Sequence, residues 1–225
     1  MKANYQYEDL GPINRWVGWL LLPPTLFTVV GLLHTLYSYA LLAGIPAELP
    51  LYTLDPVMRN LLHHNDVLRL TQISLVLAFI IFFCVCWLYF AFRNLVALFQ
   101  EQERSMRNSL AIHLDIWSNL IFALRLMQRL WRESTPASHV HLAERWLAPW
   151  WWTVLIAANT CKFFAILELH SPVSIGEWRS GNHWMLAAYF LYFALFVLTW
   201  RLVKQLETLQ RVYWQHLSGT APALR

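Results

Sequence analysis

Residues 70–87 read LTQISLVLAFIIFFCVCW, and residues 88–92 extend the run with LYFAF before the first charge, Arg93. An α-helix rises 1.5 Å per residue, so 70–92 would measure about 35 Å, enough to cross a hydrocarbon core of about 30 Å. Working outward from this stretch, three further apolar runs of similar length lie at 24–44, 150–169 and 184–202. The whole chain fits the same reading. Of its 225 residues 58% are hydrophobic and 13% charged, against about one quarter charged in a soluble domain, and mean hydropathy is +0.40. A disordered chain, a disulfide-framed secreted domain and a collagen-like polymer are excluded. The fold class expected is an all-α integral membrane protein with four transmembrane helices plus an amphipathic, interfacial helix.

Pro23 and Pro24 are expected to break a longer helix, while Pro24 suits the first turn of a new one. Residues 12–22, with Arg15, Trp16 and Trp19, therefore read as a separate short interfacial helix ahead of the first span. Glu8 and Asp9 sit beside only Lys2 and Arg15, and the first apolar run is long enough to span, so the N-terminus is expected to be retained rather than cleaved as a signal peptide.

Segment 109–132, SLAIHLDIWSNLIFALRLMQRLWR, places Leu110, Leu114, Trp117, Ile121 and Leu124 at helical spacing, with Asp115, Asn119 and Arg129 on the other side. A helix with one charged and one apolar face lies in the interface; a fifth span is the alternative. Charge asymmetry decides between them. With four spans and 109–132 lying flat, all of the 17 basic residues except Arg59, Arg69, Lys162 and Arg179 fall on the side of both termini. Both termini are then cytoplasmic. The 13 Trp divide the same way, only Trp178 and Trp184 falling on the far side. The expectation is a cytoplasmic face where Arg and Trp recur together, suited to membrane lipids, to a protein partner or to a second copy of the chain. Arg125, Arg129 and Arg132 are its lipid-facing basic residues. The pI of about 9.1 does not point to nucleic acid, since no water-facing basic domain exists.

Three motifs in order carry a family resemblance. Trp87-Leu88-Tyr89-Phe90-Ala91-Phe92-Arg93-Asn94-Leu95 resembles the WLYRAYRNL signature of the bacterial membrane family known as domain of unknown function 4328, with Phe90 at its first arginine. Asn119-Leu120, Met127, Trp131-Arg132 and Ser134 match the family's NLWRPYQVMREIWRAS pattern without gaps, although its proline is replaced by the run Ile121-Phe122-Ala123. Trp150, Trp151 and Trp152 resemble the double tryptophan that opens the family's next helix. The resemblance implies a protein of the bacterial inner (cytoplasmic) membrane and carries no assigned reaction. By their own chemistry, Arg93 and Asn94 would close a lipid-facing helix at its carboxyl end, with Trp87 and Tyr89 anchoring the same depth.

Nucleophile elbows, phosphate-binding glycine loops and zincin helices are absent from the sequence. Inside the expected spans, His34 and Lys162 are the ionisable residues that need an explanation, with Asn159 on the same helical face as Lys162. They form the candidate intramembrane polar site. Cys84, Cys86 and Cys161 lie in apolar runs and read as fillers. His63, His64, Asp66, Glu168, His170, Glu177 and His183 show no metal-ligand spacing, and haem would need axial histidines from two spans, so no metal or cofactor is expected. The leading functional expectation is a non-enzymatic lipid- or partner-binding membrane protein acting through the Arg/Trp surface. The alternative is a small transporter or metal-handling protein using His34, Asn159 and Lys162. The topology is tested with single cysteines in a background lacking the native ones. A cysteine at Ser138 or Ser218 should resist a membrane-impermeant thiol reagent in sealed cells, and one at Glu48 should react; labelling at Ser218 without labelling at Glu48 would refute the arrangement.

Overall fold

The computed structural model describes residues 8–99, 128–135, 146–170 and 172–217. Among these residues every regular element is helical: α1 is Gly11–Leu42, α2 Pro56–Phe82, α3 Leu88–Phe99, α4 Leu147–Leu169 and α5 Ile175–Leu217, with a single 3-10 turn at Leu51–Thr53. A π-helical turn, Phe83–Trp87, joins α2 to α3, and residues 128–133 are also helical. Three of the described helices are long and apolar enough to cross a membrane, Gly11–Leu42, Leu147–Leu169 and Ile175–Gln215. Residues 70–92 are helical throughout, spread over α2, the π turn and α3.

Helix boundaries differ from the sequence expectation at three places. Residues 12–22 and 24–44 do not form two helices: α1 runs unbroken through Pro23 and Pro24 to Leu42. Two prolines remove the donors for the Trp19 and Leu20 carbonyls but hold φ near a helical value. Hydroxyls in the following turn bond back to carbonyls of the same helix, Thr25 to Leu21 and Thr28 to Pro24, each at 2.7 Å. Second, α2 begins well before residue 70, at Pro56. Asp55 caps it, its carboxylate accepting the Met58 N–H at 2.9 Å, and Pro56 occupies the first helical position, where no donor is needed. Third, α5 does not stop at residue 202. Beyond it Leu206 and Leu209 continue the buried stripe begun by Leu202 and Val203, so the apolar run ends while an amphipathic helix goes on.

The chain divides into two compact units. Unit 1 comprises residues 1–20, 79–152 and 198–225, and unit 2 residues 21–78 and 153–197. In unit 1 an aromatic column follows the π turn: the Phe79 and Phe83 rings lie 5.8 Å apart, and Phe83 stacks on Trp87 at 4.7 Å with planes 10° apart. Trp151 of α4 joins it 6.0 Å from Phe83. Gly18 leaves room for Trp200, whose ring would lie 2.8 Å from a Cβ placed there.

Unit 2 closes around the loop between α1 and α2. Arg179 donates to the Leu42 and Ile45 carbonyls, the latter at 2.9 Å, satisfying acceptors left over where α1 ends. The Tyr39 hydroxyl bonds the Arg179 carbonyl. An antiparallel bridge between Pro50 and Ser174 pairs this loop with the start of α5. Ser174 accepts the Glu177 N–H at 3.3 Å while the Glu177 carboxylate accepts from the Val173 N–H at 2.7 Å, a reciprocal cap. Leu42, Leu54, Leu169, Ile175 and Trp178 form the apolar cluster beneath. A Cβ on Gly31 would lie 2.7 Å from the Tyr189 ring. Gly31→Ala should therefore lower the thermal unfolding midpoint in detergent, because an overpacking cost of about 1–3 kcal/mol exceeds the helix-propensity gain of up to about 1 kcal/mol. Gly44→Ala, where a Cβ meets nothing within 4 Å, is the control and should leave the midpoint within the small range of surface changes.

Candidate functional site

Unit 1 holds a polar network assembled from residues far apart in sequence. Asn14, on the buried face of α1, accepts the Trp87 indole N–H at 2.7 Å and donates to the Glu207 carboxylate at 2.6 Å. Glu207 is only 7% exposed. It is ion-paired to Arg211 at 2.6 Å and to Lys204 at 3.3 Å, which lie one helical turn to either side of it on α5. Arg211 reaches on to Asp9 at 3.3 Å. Two turns beyond Trp87, on α3, Asn94 binds the backbone of Glu8 on both sides: its oxygen accepts the Glu8 N–H at 3.0 Å and its amide donates to the Glu8 carbonyl at 2.7 Å. Arg93 adds an ion pair to the Glu8 carboxylate at 2.8 Å. Gln210 donates to the Ala91 carbonyl and to the Ser134 hydroxyl, both at 3.0 Å.

These contacts correct the sequence reading of the signature. Trp87 and Asn94 do not anchor a lipid-facing helix end; they are 0% and 1% exposed and tie α3 to the N-terminal segment and α5. Tyr89 does stand at the surface, and Arg93 is half-buried in its ion pair. Trp131, Trp151 and Trp152 are buried as well. Trp151 donates to the Thr199 hydroxyl at 2.7 Å, whereas the indole N–H groups of Trp131 and Trp152 meet no acceptor among the described residues. Arg132 is exposed, and the Arg129 guanidinium pairs with Glu133 at 2.7 Å. Asn119, Arg125 and most of 109–132 lie outside the described residues.

Unit 2 contains the intramembrane candidates. Lys162 is 6% exposed. Its ammonium donates to the Gln72 side-chain oxygen at 3.2 Å and sits 5.0 Å from the centre of the Tyr192 ring. Gln72 passes the chain on to the Thr28 hydroxyl at 2.8 Å. The Tyr192 hydroxyl donates to Asn159 at 3.0 Å, so Asn159 and Lys162 share one network through a tyrosine. Asn159 itself is exposed and bonds the Leu155 carbonyl at 2.7 Å. The first helix enters through Thr28, about 9 Å of helical rise before His34. His34 is half-buried, and its backbone carbonyl accepts the Ser38 hydroxyl at 2.9 Å. Among the described residues no group of three or more His, Cys, Asp or Glu is placed to hold a metal ion.

The sequence reading missed Asn14, Gln72, Tyr192, Glu207 and Gln210. A signal existed for two of them. Gln72 is the one amide in the 70–92 run, and Asn14 is a polar residue on the apolar face that continues through Val17 and Leu21.

The sequence profile of the family described as domain of unknown function (DUF4328) matches residues 64–208. The chain belongs to the DUF4328 family. The match takes in the π turn, α3, α4 and most of α5, and therefore Trp87, Asn94, Ser134, Trp151 and Glu207. Asn14 and Glu8, which complete the network, precede the DUF4328 region. No curated protein and no solved structure matches the chain.

A double-mutant cycle checks the network. Asn14→Leu should destabilise the protein by about 1–3 kcal/mol, because Glu207 and the Trp87 N–H each lose a partner. Trp87→Phe in the Asn14→Leu background should cost less than Trp87→Phe alone, with a coupling of about 0.5–3 kcal/mol. Strict additivity in thermal or denaturant unfolding would show that the two side chains act independently.

Proposed function

We propose that the protein is a non-enzymatic, multi-pass protein of the bacterial inner membrane, with four spans and both termini cytoplasmic, that binds anionic lipid headgroups through an Arg/Trp surface. The observation that carries this reading is the face of α1 formed by Pro12, Arg15, Trp16 and Trp19. These four line a shallow surface groove, and Trp16 and Trp19 are 65% and 69% exposed. Their spacing of three and four residues puts them on one side of the helix. Indoles with a polar N–H and an apolar body favour the depth of lipid headgroups, and a guanidinium beside them offers paired donors to a phosphate.

Further support comes from α5 and the start of α4, in the same unit. Arg201 lies over the Trp146 ring at 5.4 Å and Lys204 over the Trp200 ring at 5.1 Å. All four residues are exposed. Cation and indole thus recur as pairs on the surface, each cation held at the rim of an apolar plate. The buried tryptophans Trp87, Trp131, Trp151 and Trp152 take no part. The lipid role rests on the exposed Trp16, Trp19, Trp146, Trp150 and Trp200, and Arg125, Arg129 and Arg132 would extend the basic surface.

Lipid binding is tested on the purified full chain in detergent, titrated with phosphatidylglycerol and, separately, phosphatidylcholine. Arg15→Gln with Arg201→Gln should weaken phosphatidylglycerol binding by about fivefold per charge at low salt, from about 1 kcal/mol per basic residue near an anionic surface. The loss should shrink as salt is raised. Phosphatidylcholine binding should stay as in the wild type. Equal affinity for the two lipids, or an unchanged affinity in the double variant, would remove the headgroup role and leave a protein partner as the occupant of this face.

A further inference from the structure

Asn159 is exposed although it lies in the middle of α4, about 18 Å of helical rise from Leu147 and about 15 Å from Leu169. In a helix that crosses a hydrocarbon core of about 30 Å, this is close to the centre. Its neighbours on the same face are apolar and also exposed, Ile156 at 45%, Phe163 at 57% and Ile166 at 40%. The steps from 156 to 159, 163 and 166 are three, four and three residues, the repeat of a seam in which one helix fills the spaces of another. The Asn159 amide is half used. One hydrogen goes to the Leu155 carbonyl at 2.7 Å, and the oxygen accepts the Tyr192 hydroxyl at 3.0 Å. An asparagine amide has a second hydrogen and a second acceptor site, and lipid chains answer neither.

We propose, resting on the membrane-spanning reading of α4, that this face is covered by α4 of a second copy of the chain, the two Asn159 amides bonding each other. The occupant follows from depth and from chemistry. Copies inserted in the same sense carry Asn159 at the same depth, so a twofold axis along the membrane normal brings the two amides face to face. Each amide has one donor and one acceptor left, and their partial charges complement those of its twin. Lipid supplies neither group, and an unrelated helix would have to carry a polar residue at this depth and in this register. Interhelical bonds of this kind hold spans together where apolar surface alone gives no drive. The pairing uses only the outward side of Asn159 and keeps its bond to Tyr192, whose ring lies beneath the Lys162 ammonium.

The test uses the full chain, labelled with donor or acceptor dyes and reconstituted in phosphatidylcholine vesicles, so that anionic headgroups play no part. Energy transfer between copies should rise saturably with protein density in the bilayer. Asn159→Leu should raise the density at half-association about three- to thirtyfold, the range of interhelical hydrogen bonds in bilayers. Tyr192→Phe, which deletes the internal bond and leaves the outward amide in place, should associate as the wild type does. In a background lacking the native cysteines, Ile156→Cys should be oxidised to a covalent dimer at high density, whereas Leu77→Cys, exposed on α2, should not. Should Asn159→Leu fail to fold, these cross-links decide. Thr160→Cys at low density should resist a membrane-impermeant thiol reagent; its modification takes α4 out of the hydrocarbon and overturns the pairing together with the spanning reading. A protected Thr160→Cys beside a wild type that stays monomeric at high density overturns the pairing alone. Association unchanged in Asn159→Leu, or cross-linking of Leu77→Cys in place of Ile156→Cys, puts the seam elsewhere and overturns it equally.

Discussion

A carboxylate buried among leucines has to be neutralised where it stands, and Glu207 is answered by two cations of its own helix and by an asparagine from α1. An uncompensated ion in such a place costs several kcal/mol, so the partners are not free to move apart. Asn14 is the pivot. Its amide faces both Glu207 and the Trp87 indole, and each bond fixes the side chain's orientation for the other. Trp87 in turn stacks on Phe83, and Phe83 packs against Trp151. Beside this pivot Asn94 clasps the Glu8 backbone and Gln210 bonds Ser134.

Unit 2 treats its buried cation differently. Lys162 has an amide oxygen and an aromatic face as partners, both of which soften the charge without cancelling it. Helices in an apolar solvent associate through packing and through such hydrogen bonds, since lipid offers them no hydrophobic drive. Gln72 and Thr28 thus join α2, α4 and α1 by one polar chain. A carboxylate in place of Gln72 would have made a tighter pair but also a closed one.

Much of the helical architecture was legible because it depends on apolar length, which survives without knowledge of contacts. Residues 150–169 and 184–202 fall inside α4 and α5, and the signature around Trp87 led to the correct family. Boundaries were less legible. Pro23-Pro24 reads as a break because proline removes donors, while the structure keeps one helix to Leu42, since proline also holds φ near a helical value. Hydropathy ends α5 with the apolar run because it averages over both faces, whereas Leu206 and Leu209 need only one. The polar sites were least legible. Asn159 and Lys162 share a network, but the residue joining them, Tyr192, is amphipathic and reads as an ordinary aromatic in a span. A long-range partner such as Glu207 leaves no local pattern at all.

The π turn at Phe83–Trp87 has a bearing on how such a sequence is inherited. It holds one residue more than an α-helical turn would, and each residue rotates a helix by about 100°. Losing one codon there would leave every side chain of the signature unchanged and turn all of them, Trp87 and Asn94 included, away from Asn14 and Glu8. Selection acting on the motif is therefore selection on the length of the turn in front of it. Insertions and deletions in this short stretch are far more damaging than substitutions, and the turn and the signature descend as one character.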